Sequence, residues 1–264
     1  MLCQWSREFY DTGWNKTCFG NPCDGPASGI VYEAVSTGDR WDRLVAVAVD
    51  GAELLRFITP FGGQISGELR LPQELWSATE GREVCVLFTT FAAGGGGWRL
   101  TTKYIPVPPC PFPEIACQFP SVVKHPLWFV EQITSQRRAL SGRIGAYVDG
   151  FVLNMTGHRG EEGGGVNRTY VLRVDGREVW RRTFPDWRWR PGQGVVQPIY
   201  VSYKGYAGDV ELACENCGDI WVVSGWAYSL TGYTSPISPP LLALIGAISA
   251  FTSAYVSTSE SPAL

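Results

Sequence analysis

The chain has 264 residues and a net charge of −3, and no run of basic residues, which excludes the electrostatic footprint of a nucleic-acid binder. Charged residues make up 18% and aromatics 13%, while 31 glycines and 18 prolines are spread along the whole length. That composition suits many short strands joined by turns, and the length allows one large β domain or two of ordinary size.

In chain order, the first twenty residues are mostly polar and show no secretory leader. Trp41-Asp42-Arg43 opens the first clear element. The apolar run 44–49, the turn Asp50-Gly51 and the returning run 53–58 read as a β-hairpin that ends in Arg56-Phe57-Ile58-Thr59-Pro60. Strand-like runs follow at 84–91 and 98–105. Residues 106–120 carry six prolines, which no central strand tolerates, and they read as a stiff linker. Further strand-like runs lie at 144–154, 169–174, 195–203, 208–213 and 220–228. Asp149-Gly150, Asp175-Gly176 and Cys217-Gly218 add turn signals. The apolar run 241–251 is too short to span a bilayer and reads as an appended helix ahead of a Ser/Thr-rich end. The expected fold class is all-β, as two consecutive jelly-roll β-sandwich domains. They would cover residues 1–105 and 121–240, with a tail at 241–264.

Eight cysteines in a low-charge β protein favour disulfides and a secretory or extracellular setting. Sequons at Asn15, Asn154 and Asn167 agree with that route. Cys214-x2-Cys217 is half of a zinc pattern, but no second pair follows and the chain has only two histidines, His125 and His158, so no metal or cofactor is expected. Eleven tryptophans supply core packing, with some left to stack on sugar rings.

The hairpin would hold Asp42, Arg43 and Arg56 near the ends of neighbouring strands. A carboxylate among guanidinium groups stays ionised and fixed in place, as a general base requires. A structural ion pair at a sheet edge uses the same residues, and spacing alone leaves both readings open.

These blocks resemble the peptide-N-glycosidase F family, amidases that remove N-linked glycans. The Trp-Asp-Arg block and Arg-Phe-Ile-Thr-Pro resemble its first domain, and Cys18-x4-Cys23-Asp24 is similar to its short cysteine-bridged loop. Gly157-His158, the strand 168–176, Pro185-Asp186, Trp189-Arg190-Pro191-Gly192, Trp221–Trp226 and Ser235–Ser238 resemble segments of its second domain, in the same order. The resemblance implies two jelly rolls with an active site in the cleft between them. The implied reaction is hydrolysis of the amide between asparagine and the first N-acetylglucosamine, on N-glycosylated proteins or peptides, by a monomer without stable membrane insertion. A non-catalytic relative that binds glycan or protein is the alternative.

Asp42 matches the family's principal catalytic aspartate and is the candidate for water activation, Arg43 matches a family arginine in the same cleft, and Arg56 would support the carboxylate from the next strand. Glu162, or Glu161 beside it, would supply a second carboxylate from the loop Gly160–Gly165. Arg188, flanked by Trp187 and Trp189, would contact the sugar. Thr89 stands where the family's Thr-Glu-Thr-Trp pattern has glutamate; it can bond a hydroxyl but carries no charge. Relative to the family, residues 25–40 intervene before Trp41, and the segment ahead of Cys18 is short for the opening strands of a jelly roll.

Overall fold

The computed structural model describes residues 3–10, 14, 16–23, 25–39, 42–89, 96–108, 119–158, 167–184, 194–218 and 220–232. Apart from one short 3-10 turn, Gln73–Thr79, the described elements are strands. The all-β class expected from the sequence is the class found.

The first half comprises β1 Gln4–Tyr10, β2 Lys16–Gly20, β3 Ala27–Ser36, β4 Leu44–Val49, β5 Ala52–Ile58, β6 Gln64–Arg70, β7 Glu83–Thr89 and β8 Gly97–Pro106. Their spatial orders are β1-β8-β3-β6 in one sheet and β2-β7-β4-β5 in the other. Apart from the hairpin β4–β5, each successive strand crosses to the opposite sheet, which is jelly-roll connectivity. The segment ahead of Cys18 supplies one opening strand, β1, and Cys18 itself lies in the second, β2. Residues 25–39 are part of the first half's framework. Most of them form β3, which pairs with β8 on one side and β6 on the other and buries Ile30, Tyr32 and Ala34 by strict alternation.

The second half comprises β9 Ser121–Ile133, β10 Ala139–His158, β11 Arg168–Val174, β12 Arg177–Phe184, β13 Gly194–Val195, β14 Ile199–Cys214 and β15 Ile220–Thr231. Six of these build a sheet in the order β12-β11-β14-β10-β15-β9. The remaining one, β13, pairs with Phe57 and Ile58 of β5 and so extends the first half's sheet. Asp149-Gly150 is not a turn. It lies inside β10 at a bulge, where the Tyr228 hydroxyl occupies the space a Cβ at Gly150 would need. Asp50-Gly51 does turn the β4–β5 hairpin, with φ of 49° and 80°, the paired positive values of a type I′ turn.

The sheet β2-β7-β4-β5 is the middle layer. Val45, Val47, Val49, Leu55 and Phe57 face the core of the first sandwich. On the opposite face Leu44 and Ile58 pack against Val222 of β15, with Val130 of β9 beside them. Covered on both faces, all of β4 and β5 is buried, which is why both read as nearly unbroken apolar runs.

Three disulfides lie among the described residues: Cys3–Cys23, Cys18–Cys85 and Cys214–Cys217. The Cys18-to-Cys23 loop is thus not bridged within itself, as the family resemblance implied, because Cys18 on β2 stands directly opposite Cys85 on β7. Asn154 is fully buried and donates to the Glu53 carbonyl at 3.3 Å, so this sequon is closed to glycosylation, whereas Asn167 is exposed.

Candidate active site

Asp42 stands half-buried two residues ahead of the β4 strand. The ladder with β5 continues past the strand end: the Thr59 N–H donates to the Arg43 carbonyl at 2.9 Å, and the Arg43 N–H donates to the Thr59 hydroxyl at 2.8 Å. By the period of two, position 42 continues the row Leu44, Ala46, Ala48 that faces the second half. Thr89, at the end of β7, pairs in register with Leu44 and shares that row. The structure therefore brings Asp42 and Thr89 to one end and one face of the middle sheet. Thr89 has no exposed surface.

Arg43 points the other way. It is fully buried, and its Nε donates to Asp39, whose Oδ2 also accepts the Trp98 indole N–H at 2.9 Å. The loop that presents Asp39 is tightly fixed. Ser36 Oγ donates to the Asp39 carbonyl at 2.6 Å, and a Cβ at Gly96 would collide with the Asp39 side chain. Sequence reasoning placed Arg43 in the cleft with Asp42; instead it anchors the base of the loop that carries Asp42, with no surface left for substrate. Asp39 was missed because an aspartate followed by a basic residue in a polar stretch carries no signal of burial.

Arg56 also departs from expectation. Its Nε and Nη2 form a bidentate pair with Glu53 at 2.7 and 2.8 Å. Nη1 reaches Thr156 Oγ1 at 3.1 Å and the Val222 carbonyl at 2.7 Å, and Nη2 reaches Ser224 Oγ at 3.0 Å. All five N–H donors of the guanidinium are thereby matched, with none over for a substrate. Strand periodicity would put residues 53 and 56 on opposite faces. A register shift in the β4–β5 ladder leaves Leu54 as an extra residue, so Glu53 opposes Ala48 while Arg56 opposes Ala46, and both share a face.

Beside this end of the middle sheet lies an open groove of about 830 Å³, lined by Trp14 and Lys16 ahead of and in β2 and by Phe129, Val130 and Glu131 of β9. The Lys16 ammonium sits 5.7 Å from the centre of the Phe129 ring. Val130 has φ of 55°, a strained value for a β-branched residue, at a bulge where its N–H is held by Ser224 Oγ at 2.8 Å. Glu131, which pairs with Arg137 at 2.8 Å, is a carboxylate in this groove that sequence reasoning did not single out. The polar Lys124-His125-Pro126 start of β9 hides the strand that carries it.

Glu161, Glu162, Trp187, Arg188 and Trp189 lie outside the described residues, as do Trp41, Cys110, Cys117 and the tail from residue 233. The described part of the candidate site is therefore Asp42 and Thr89 at one end of the middle sheet, and an aromatic and charged groove between β2 and β9.

No model of a known protein family matches the chain, and no curated protein sequence does. Among solved structures it is similar to PNGF-II, of the peptide-N-glycosidase F family, in two crystal forms, with TM-scores of 0.53 and 0.50. Identity is 14% in both, and the matches cover 83% and 86% of this chain but 59% and 60% of that one. The chain therefore shares the fold of PNGF-II and spans about three fifths of its length.

Proposed function

We propose that the chain is a glycoamidase: it hydrolyses the amide between an asparagine side chain and the first N-acetylglucosamine of an N-glycan, leaving aspartate in the peptide. The observation that carries this reading is the position of Asp42, half-buried where the middle sheet meets the second half, in a chain that shares the fold of PNGF-II. Asp42 takes a proton from water as the water attacks the amide carbon. The C–N bond then breaks, and the glycosylamine leaves with a proton from a second acidic group. The substrates are N-glycosylated proteins or peptides, and three disulfides accord with work in an oxidising, secretory or extracellular setting.

The test is mass spectrometry of a glycopeptide digested in heavy-oxygen water. The reading requires aspartate at the former glycosylation site, carrying the heavy oxygen. Release that leaves N-acetylglucosamine on asparagine, or no release by folded protein, would overturn it.

A second reading, a non-catalytic module that binds glycan or protein, draws on the closed state of Arg43, Arg56 and Thr89, none of which has surface to offer a substrate. It predicts that glycopeptide binds and is recovered unchanged.

A further inference from the structure

The face of the second-half sheet that docks on the first sandwich does not end with that contact. Val152, Trp226 and Tyr228 of this face are part of the first sandwich's core. Tyr200 stands opposite Val152, Ser202 opposite Gly150 and Tyr206 opposite Tyr147, so Tyr200, Ser202, Lys204 and Tyr206 continue one face of β14 beyond the buried part. Tyr147 and Tyr206 form a cross-strand pair, 58% and 62% exposed, and Tyr200 is 41% exposed nearer the contact.

Where the first half stops, the 3-10 turn stands over this face and makes a step. The cleft there measures about 550 Å³ and is lined by Glu74, Asp149, Ser202, Lys204, Tyr228 and Leu230. Its framework is fixed. The Asp149 carboxylate accepts the Leu230 N–H at 2.7 Å, the Tyr203 hydroxyl donates to the Tyr206 carbonyl at 2.8 Å, and Ser229 Oγ donates to the Tyr147 carbonyl. The step is remote from Asp42. Leu230 pairs with Val122 near the start of β9, whereas the groove at the Asp42 end of the middle sheet is lined by Phe129–Gln132. Seven to ten positions along one strand separate them, roughly 23–33 Å.

We propose that this step binds a neutral oligosaccharide, at a site separate from the Asp42 groove. Exposed phenol rings offer flat faces to the C–H faces of pyranose rings. Two carboxylates, an ammonium and hydroxyls beside them match the mixed donors and acceptors of sugar hydroxyls. Glu74 and Asp149 outweigh Lys204, so a phosphate or polyanionic ligand is disfavoured, and the polar lining does not suit an apolar peptide.

The experiment titrates the Asp42→Asn chain with chitohexaose, mannohexaose and cellohexaose by calorimetry, with an unglycosylated denatured protein as control. Because Asp42→Asn is the parent, the outcome is independent of whether the chain hydrolyses amides. At least one oligosaccharide binds, Tyr206→Ala weakens it about tenfold, the loss of roughly one stacked ring. Tyr206→Phe keeps the affinity, and Tyr147→Ala with Tyr206→Ala abolishes binding at an unchanged melting temperature. Binding of none of the three sugars, binding undiminished in the double variant, or saturation by the unglycosylated protein alone would overturn the proposal.

Discussion

On one face of the middle sheet Val45, Val47, Val49, Leu55 and Phe57 meet the first sheet. On the other, Ala46, Ala48, Glu53 and Arg56 meet the second half. The first contact is apolar along the strands, with the Arg43–Asp39 pair confined to its end, and tolerates small adjustments of packing. The second adds to the Leu44–Ile58–Val222 packing a buried ion pair whose guanidinium also holds Thr156, Val222 and Ser224, while the Glu53 carbonyl accepts the Trp226 indole and the Asn154 amide. An apolar contact favours burial in many registers; a directional polar network is satisfied in one. The difference assigns cohesion to the first face and the relative placement of the halves, on which Asp42 depends, to the second.

Breaking the pair is the largest effect expected. Arg56→Met leaves the Glu53 carboxylate buried without its partner and costs about 3–5 kcal/mol in urea unfolding, whereas Arg56→Met with Glu53→Leu costs far less. A single variant within about 1 kcal/mol of the parent would contradict a closed network. On the other face Leu55→Ala removes buried apolar volume and costs about 2–5 kcal/mol, but leaves the placement of the halves, read by small-angle scattering, unchanged. At the sheet's edge the Cys18–Cys85 disulfide spans 67 residues. Replacing both cysteines by serine lowers stability by about 2–4 kcal/mol, close to the loop-closure value.

The smallest effect lies at the hairpin tip, the end opposite Asp42. Burial would raise the Asp50 carboxyl, but the Glu83 and Arg82 N–H groups and the Lys124 ammonium together hold it below its ordinary value. A lowered carboxyl adds stability above its unfolded pKa of about 3.9, and that contribution fades as pH falls through the folded value. Asp50→Asn therefore flattens the acid side of the melting-temperature profile below about pH 4; an unchanged slope would remove Asp50 from the account.

The interior strands were legible and the edges were not. β4, β5, β7, β10 and β15 bury one or both faces and announce themselves as apolar runs. β1, β2, β6, β9 and β12 are the edge strands of their sheets, and their sequences carry exposed charge that breaks the pattern, as in Arg177–Phe184 with three arginines. β3 is not legible as a strand because residues 25–40 stand against the family pattern as an intervening segment; its alternation is also interrupted at Gly29, where the Leu69 carbonyl leaves no room for a Cβ. At the candidate site, Asp42 was singled out through its motif. The fates of Arg43 and Arg56 were hidden, since one depends on strand parity and the other on a bulge that no local pattern encodes.

The most direct measurement is the rate of N-glycan release from a denatured glycoprotein by the parent chain and by Asp42→Asn, at matched folding. The account predicts release by the parent and a fall of about a hundredfold or more in the variant, the scale of a lost general base. Equal rates from the two proteins would contradict it.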